Sequence, residues 1–219
     1  MSSRHPLKET PRRGRPADAA KRAAILLAAS RQFFERGFAA ASIEQIAADA
    51  GVSKVTVYSH FGDKRGLFIA AIDSECGRIR GHFAIDDLPR GSLRTRLLAI
   101  GEAMVAFLSR PEMVSFERRI AAETEHEPAI GAAFLAAGPH RMRQAFADLL
   151  QAMSEAGELD IADPLLSAEQ FVSLCKGMGD LERRFAHPAD PAADRRRIEG
   201  AVELFCRAYA RDCDARSRS

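Results

Sequence analysis

Helical period, cut at intervals by proline and glycine, runs through nearly the whole of this 219-residue chain, and alternating strand patterns are nearly absent. Proline cannot continue a helix, so a Pro after an apolar-periodic run marks a boundary. Pro111, Pro128, Gly157, Pro164, Pro188 and Pro191 divide the second half into runs of about 92–109, 112–124, 128–156, 164–186 and 191–211. Gly138-Pro139 lies inside the 128–156 run and is expected to bend or interrupt it. No internal repeat and no sustained heptad is present. The fold class is all-α, with about nine helices.

The first third carries its own punctuation. "ADAAKRAAILLAASRQFFERG" places Ile25, Leu26, Ala29 and Phe33 at helical spacing and ends on Gly37, suited to a C′ position. In "SIEQIAADAG", Ser42 and Gln45 have capping-box spacing, Ile43, Ile46, Ala47 and Ala50 form one apolar stripe, and Gly51 closes the helix. Ser53 is the expected N-cap of a short helix from Lys54, and Asp63 of the helix that follows. "DDLPRGS" (86–92) is a break near the domain boundary. The division is 1–16, a disordered basic arm; 17–66, an N-terminal three-helix unit; 67–211, a helical body; and 212–219, a disordered tail.

Composition narrows the class. The chain is 47% hydrophobic and 28% charged, a globular balance, and its longest uncharged stretch, Pro128 to His140, is too short to span a bilayer. No secretory h-region follows the basic start, so a cytoplasmic location is expected. Cys76, Cys175, Cys206 and Cys213 form no C-x-x-C pair. The net charge of +2 conceals an asymmetry: 12 Lys/Arg against 6 Asp/Glu up to Gly66, then 20 against 24. A basic head on an acidic body suggests a nucleic-acid-binding module attached to something else.

Helix, four-residue turn with Gly, short second helix: this is a helix-turn-helix, whose second helix enters the major groove. On that helix Val57 and Phe61 are spaced to face the core with Val52. Lys54, Val55, Thr56, Tyr58, Ser59 and His60 remain on the outer face or its margins, the side-chain types that meet phosphates and base edges.

"ILLAASRQFFERGFAAASIEQIAADAGVSKVTVYSHFGDKRGLF" (25–68) resembles the N-terminal domain of the tetracycline-repressor (TetR) family. The resemblance rests on Gly37-Phe38, Ser42, Ile46-Ala47, Ala50-Gly51-Val52-Ser53, Tyr58-x-x-Phe61, and Lys64 followed by Leu67. Two positions depart from the usual pattern. Val55, able to meet a thymine methyl, replaces a commonly small residue, and Asp63 replaces Asn or Ser. By resemblance, Ser42 caps the second helix and donates to a phosphate. Ser53, Thr56, Tyr58, His60 and Lys64 contact the DNA backbone, while Lys54, Val55 and Thr56 face bases. Arg12, Arg13 and Arg15 of the arm "RRGRP" would enter the minor groove.

The resemblance further implies a pocket in the body for a small hydrophobic effector, with Met104, Phe107, Met113, Phe116, Phe134, Met142, Phe146 and Phe171 as lining candidates. Arg118, Glu123 or Glu102 could supply its polarity. It also implies a homodimer through the last two helices, here Leu174, Met178, Leu181, Ile198, Val202, Phe205 and Tyr209, with Gly177 allowing close approach. The function so implied is a homodimeric repressor, released from a pseudo-palindromic operator on double-stranded DNA by its effector. The alternatives are a DNA-binding redox switch using Cys206 or Cys213 and an effector-free architectural DNA-binding protein. No catalytic motif, cofactor or metal site is read from the chain. Gly177-Met178-Gly179 has no strand before it, and "ETEHE" (123–127) reads as a solvated helix end rather than a metal site.

Overall fold

The computed structural model describes residues 15–80 and 91–211, with side chains from 18 to 77 and from 91 onward. These residues form ten helices and one isolated bridge, Leu159 with Ala210. They are α1 (Arg15–Ala40), α2 (Ile43–Asp49), α3 (Lys54–Phe61), α4 (Lys64–Arg80), α5 (Leu93–Leu108), α6 (Pro111–His126), α7 (Pro128–Ala137), α8 (Pro139–Glu155), α9 (Pro164–Arg184) and α10 (Pro191–Tyr209).

Local sequence sets most of these boundaries. Five helices, α6 to α10, open on proline at the first turn, where its fixed φ suits the helix and its missing N–H costs nothing. Gly138-Pro139 divides the 128–156 run into α7 and α8, the interruption expected there. Asp163 and Asp190 cap α9 and α10 by accepting from Leu166 N–H at 3.0 Å and Ala192 N–H at 2.9 Å. Helix α1 begins at Arg15, two residues before the boundary expected from the sequence, and breaks at Gly37 (φ 83°, ψ 177°), where the last turn changes direction.

Packing divides the chain differently from the domain assignment at residue 66. One core joins α1 to α4 with α6 and α7. Phe33 and Phe38 each meet Phe68 edge-on at 5.2 Å, and Phe34 stacks on Phe116 of α6 at 4.4 Å. A second core joins α5 and α8 to α10 around Phe146, Phe171 and Phe205. The head is thus rooted in the body through α4, α6 and α7.

Candidate nucleic-acid interface and effector cavity

The reading helix is held by short-range chemistry. Gly51 adopts φ 65° in the turn, Ser42 accepts from Gln45 N–H at 3.3 Å, and Ser53 accepts from Thr56 N–H at 3.1 Å. Gln45 does not return the bond that would complete a capping box; its amide donates to Asp49 at 2.8 Å. Val57 is buried with Val52 and Phe61 packed beside it, while Val55 is 77% and Tyr58 46% exposed. Lys54 and Ser59 are also exposed, and Thr56, half-buried, shares its hydroxyl with Ser53 at 2.9 Å.

Several predicted contact residues are engaged within the head. Lys54 pairs with Glu44 at 2.5 Å, and the Ser42 hydroxyl donates to the same carboxylate at 3.0 Å. His60 turns back to Asp18 at 3.3 Å, its side chain only 14% exposed. Lys64 donates to the Ala39 carbonyl at 3.0 Å and lies 4.9 Å from the Phe38 ring centre, where burial pushes its pKa below the usual lysine value. Both side chains thus brace α1. Asp63 caps α4 as expected, accepting from Gly66 N–H at 2.7 Å. Arg12 and Arg13 lie outside the described residues, as does the side chain of Arg15.

Behind the head, α4 to α9, with Phe34 of α1, line a partly open cavity of about 720 Å³. Met104, Phe107, Met113, Phe116, Phe134, Met142 and Phe146 line it. Phe171 does not: it lies fully buried in the second core, between Phe146 and Phe205. Polarity enters elsewhere than the sequence suggested. Arg118 and Glu102 are exposed and Glu123 faces the head, whereas Glu117, Arg143, Glu169, Lys176 and Arg184 line the cavity. Arg184 pairs with Glu117 at 3.0 Å and Arg143 with Glu169 at 2.7 Å. Burial pushes the Glu117 carboxyl above its ordinary value, an effect the Arg184 and Lys176 charges only partly oppose.

Sequence reasoning found the cavity side of α6 in Met113 and Phe116 but missed its hold on the head. Met113, Phe116, Glu117 and Ile120 line the cavity. Arg119 donates to the Phe34 carbonyl at 2.6 Å, Glu123 accepts from Ala39 N–H at 3.2 Å, and Glu127, the residue closing α6, takes Arg65 of α4 at 2.5 Å. The carboxylate of Glu123 lies directly over Gly37, where any Cβ would collide with it. The available signal was the four-residue spacing of Arg119, Glu123 and Glu127, which puts them on one helix face.

The last two helices correct the expected dimer face. Ile198, Val202 and Phe205 are 4%, 0% and 2% exposed because they fill the second core of their own chain. Tyr209 meets Phe205 at a tilt, ring centres 4.8 Å apart, and donates to Gln170 at 3.1 Å. Exposed apolar residues include Leu174, Met178 (61%) and Leu181 on α9, Phe185 (79%) at its end, and Leu204 beside exposed Gly200 and Ala208 on α10. Gly177 and Gly179 admit the side chain of Arg197 from α10 of the same chain. Cys175 and Cys206 are buried, the Cys175 thiol pushed up to about 12 by desolvation, and Cys213 lies outside the described residues.

These helices and this reading head define a helix-turn-helix regulator, and comparison with known proteins gives its family. Residues 25–71 match the model for bacterial regulatory proteins of the tetR family, and residues 95–211 match that for the C-terminal domain of AefR-like transcriptional repressors. The chain belongs to the TetR family of DNA-binding transcription regulators. The transcriptional activator FasR of Mycolicibacterium smegmatis is 36% identical over 97 residues, a match spanning 40% of each chain. A solved structure described as a TetR-family regulator from Mesorhizobium loti is 27% identical, with TM-score 0.72 over 92% of this chain and all of that one. The flavonoid-responsive regulator FrrA is 29% identical, with TM-score 0.67 over 88% of this chain and 98% of its own. No helix among the described residues is long and apolar enough to cross a membrane.

Proposed function

We propose that this protein is a cytoplasmic homodimeric repressor, released from a pseudo-palindromic operator when a small molecule fills the cavity. The observation that carries the reading is the two-sided use of α6, which lines the cavity and holds the head through Arg119, Glu123 and Glu127. A ligand that displaces α6 moves both anchors of the head, α1 and α4. Two heads on a dimer then lose the spacing of successive major grooves, and the operator is released by a shift between two states. The repressor sense follows the match of residues 95–211 to the AefR-like repressor domain.

The lining residues favour an effector with an aromatic or aliphatic body and a polar edge. Five Phe and three Met meet the body, while Glu117, Arg143, Lys176 and Arg184 meet the edge. FrrA, whose name records a flavonoid response, is consistent with that chemistry. Dimerisation is assigned to Leu174, Met178 and Leu181 with Gly200, Leu204 and Ala208, the small residues permitting close helix approach.

The decisive experiment selects bound fragments from genomic DNA and then titrates amphipathic aromatic compounds against the complex. A palindromic site bound by a dimer and released by such a compound supports the reading. Sequence-independent binding, or no compound that either releases DNA or raises the melting temperature, refutes it.

A further inference from the structure

We propose that Glu44 is a specificity-determining residue of the DNA-reading surface, holding Ser42 and Lys54 as a phosphate would and withholding them from DNA whose bases do not compete. Glu44 is the second residue of α2 and bridges to the start of α3. One carboxylate oxygen takes the Lys54 ammonium at 2.5 Å and the other takes the Ser42 hydroxyl at 3.0 Å. A cation and a hydroxyl are the donors that DNA-binding proteins turn to phosphate oxygens. Both belong to the surface that exposes Val55 and Tyr58. With the Lys54 bond as the largest cause, the Glu44 carboxyl is pushed down to about 2, so it stays ionised wherever the protein works.

The pair does little for the fold. Its side chains are 50% and 65% exposed, and such surface pairs contribute little to stability. Its consequence lies in what Lys54 can give to DNA. On a random sequence, Lys54 reaches a phosphate only by leaving Glu44, exchanging one anion for another without a net gain of charge neutralisation. On the operator, a base edge with two aligned acceptors, such as guanine O6 and N7, offers directional bonds that Glu44 does not replace. Glu44 also brings its own negative charge toward the duplex. The first effect weakens non-specific binding more than specific binding, whereas the second acts on every duplex alike.

The test compares wild type, Glu44→Gln, Lys54→Ala and the double variant as full chains. The probes are a random-sequence duplex and the duplex recovered by genomic selection, each measured across a salt series. Glu44→Gln is expected to bind the random duplex roughly threefold to tenfold more tightly at low salt and to steepen the salt dependence by about one unit per head. It should lower the ratio of operator to random affinity, and Lys54→Ala should cost more in the Glu44→Gln background than in wild type. The melting temperature serves as a control, because a merely structural role would lower it and leave the salt slope alone. The proposal is overturned if random-duplex affinity and slope stay at wild-type values. It is equally overturned if affinity rises by the same factor with Lys54 absent, which would make Glu44 a simple repulsive charge.

Discussion

The reading head and the body use the same amphipathic helices, but they differ in what decides which side chains face out. In the head, a glycine turn and two serine caps fix α2 and α3 so tightly that outward positions follow from numbering alone: Val55 and Tyr58 are exposed because Val57 is not. In the body, prolines fix where helices begin and leave their rotation to tertiary packing. α10 carries two apolar faces, Ile198-Val202-Phe205 and Gly200-Leu204-Ala208, and only the surrounding helices decide that the first goes inward. Local chemistry thus specifies the reading face of the head, and packing specifies the cavity and the exposed apolar faces proposed for effector and partner.

The largest effects should test that division inside the body. Phe171→Ala removes a fully buried ring from the second core and should cost about 3–5 kcal/mol of stability. Phe107→Ala trims a half-buried cavity wall, so it should cost less and instead weaken effector binding. Equal losses of stability would erase the distinction between core and cavity. On α10 and α9 the same contrast is set by charge. Phe205→Glu buries an unpaired carboxylate and should unfold the body, whereas Met178→Glu should keep the melting temperature and yield monomers in sedimentation. A Met178→Glu protein that remains dimeric would remove α9 from the interface.

A smaller effect is expected where head meets body. Gly37 adopts φ 83° with ψ 177°, a region almost closed to other residues, and Glu123 leaves no room for a Cβ. Gly37→Ala should therefore cost about 1–3 kcal/mol. It should also uncouple DNA release from effector binding, because Glu123 is one of the bonds joining α6 to α1. Full stability with normal release would show that α6 does not act through this contact.

Tyr58→Ala returns to the head, with an expected loss of about 1–3 kcal/mol in affinity for every DNA sequence. Tyr58 is 46% exposed, so the melting temperature should hold. A fall in stability without a fall in affinity would make Tyr58 a packing residue.

The sequence was most informative where one residue's neighbours along the chain settle its role. Ser53, Gly51, Val57 and the Pro139 break follow from capping, φ and spacing, and the Phe and Met that line the cavity follow from large apolar residues on helices that end up side by side. It was least informative where a distant partner decides. His60 looks like an outward imidazole until Asp18, from the start of α1, takes it. Glu123 and Glu127 look like a solvated helix end until Ala39 and Arg65 arrive. Glu117, the half-buried carboxyl of the cavity, carries no signal of its own, since only folding brings it to Arg184 of α9.

That carboxyl gives the finest test, because Glu117 of the body and Glu44 of the head shift in opposite directions. Glu44 is largely exposed and paired with Lys54, so its pKa falls to about 2. Glu117 is desolvated, so its pKa rises above the ordinary carboxylate value despite Arg184. A raised native pKa means that the folded protein binds the proton more tightly than the unfolded chain. The associated stability is fully present below the unfolded value and is lost as pH climbs through the native one. Glu117→Gln is neutral throughout and escapes that loss. Its melting temperature should therefore gain on wild type as pH rises from 4 toward neutrality, by less than any change above. Melting curves at matched ionic strength measure the difference. A gap that instead widens in favour of wild type would mean that the Arg184 pair outweighs desolvation, and the cavity would then hold its charges as the head does.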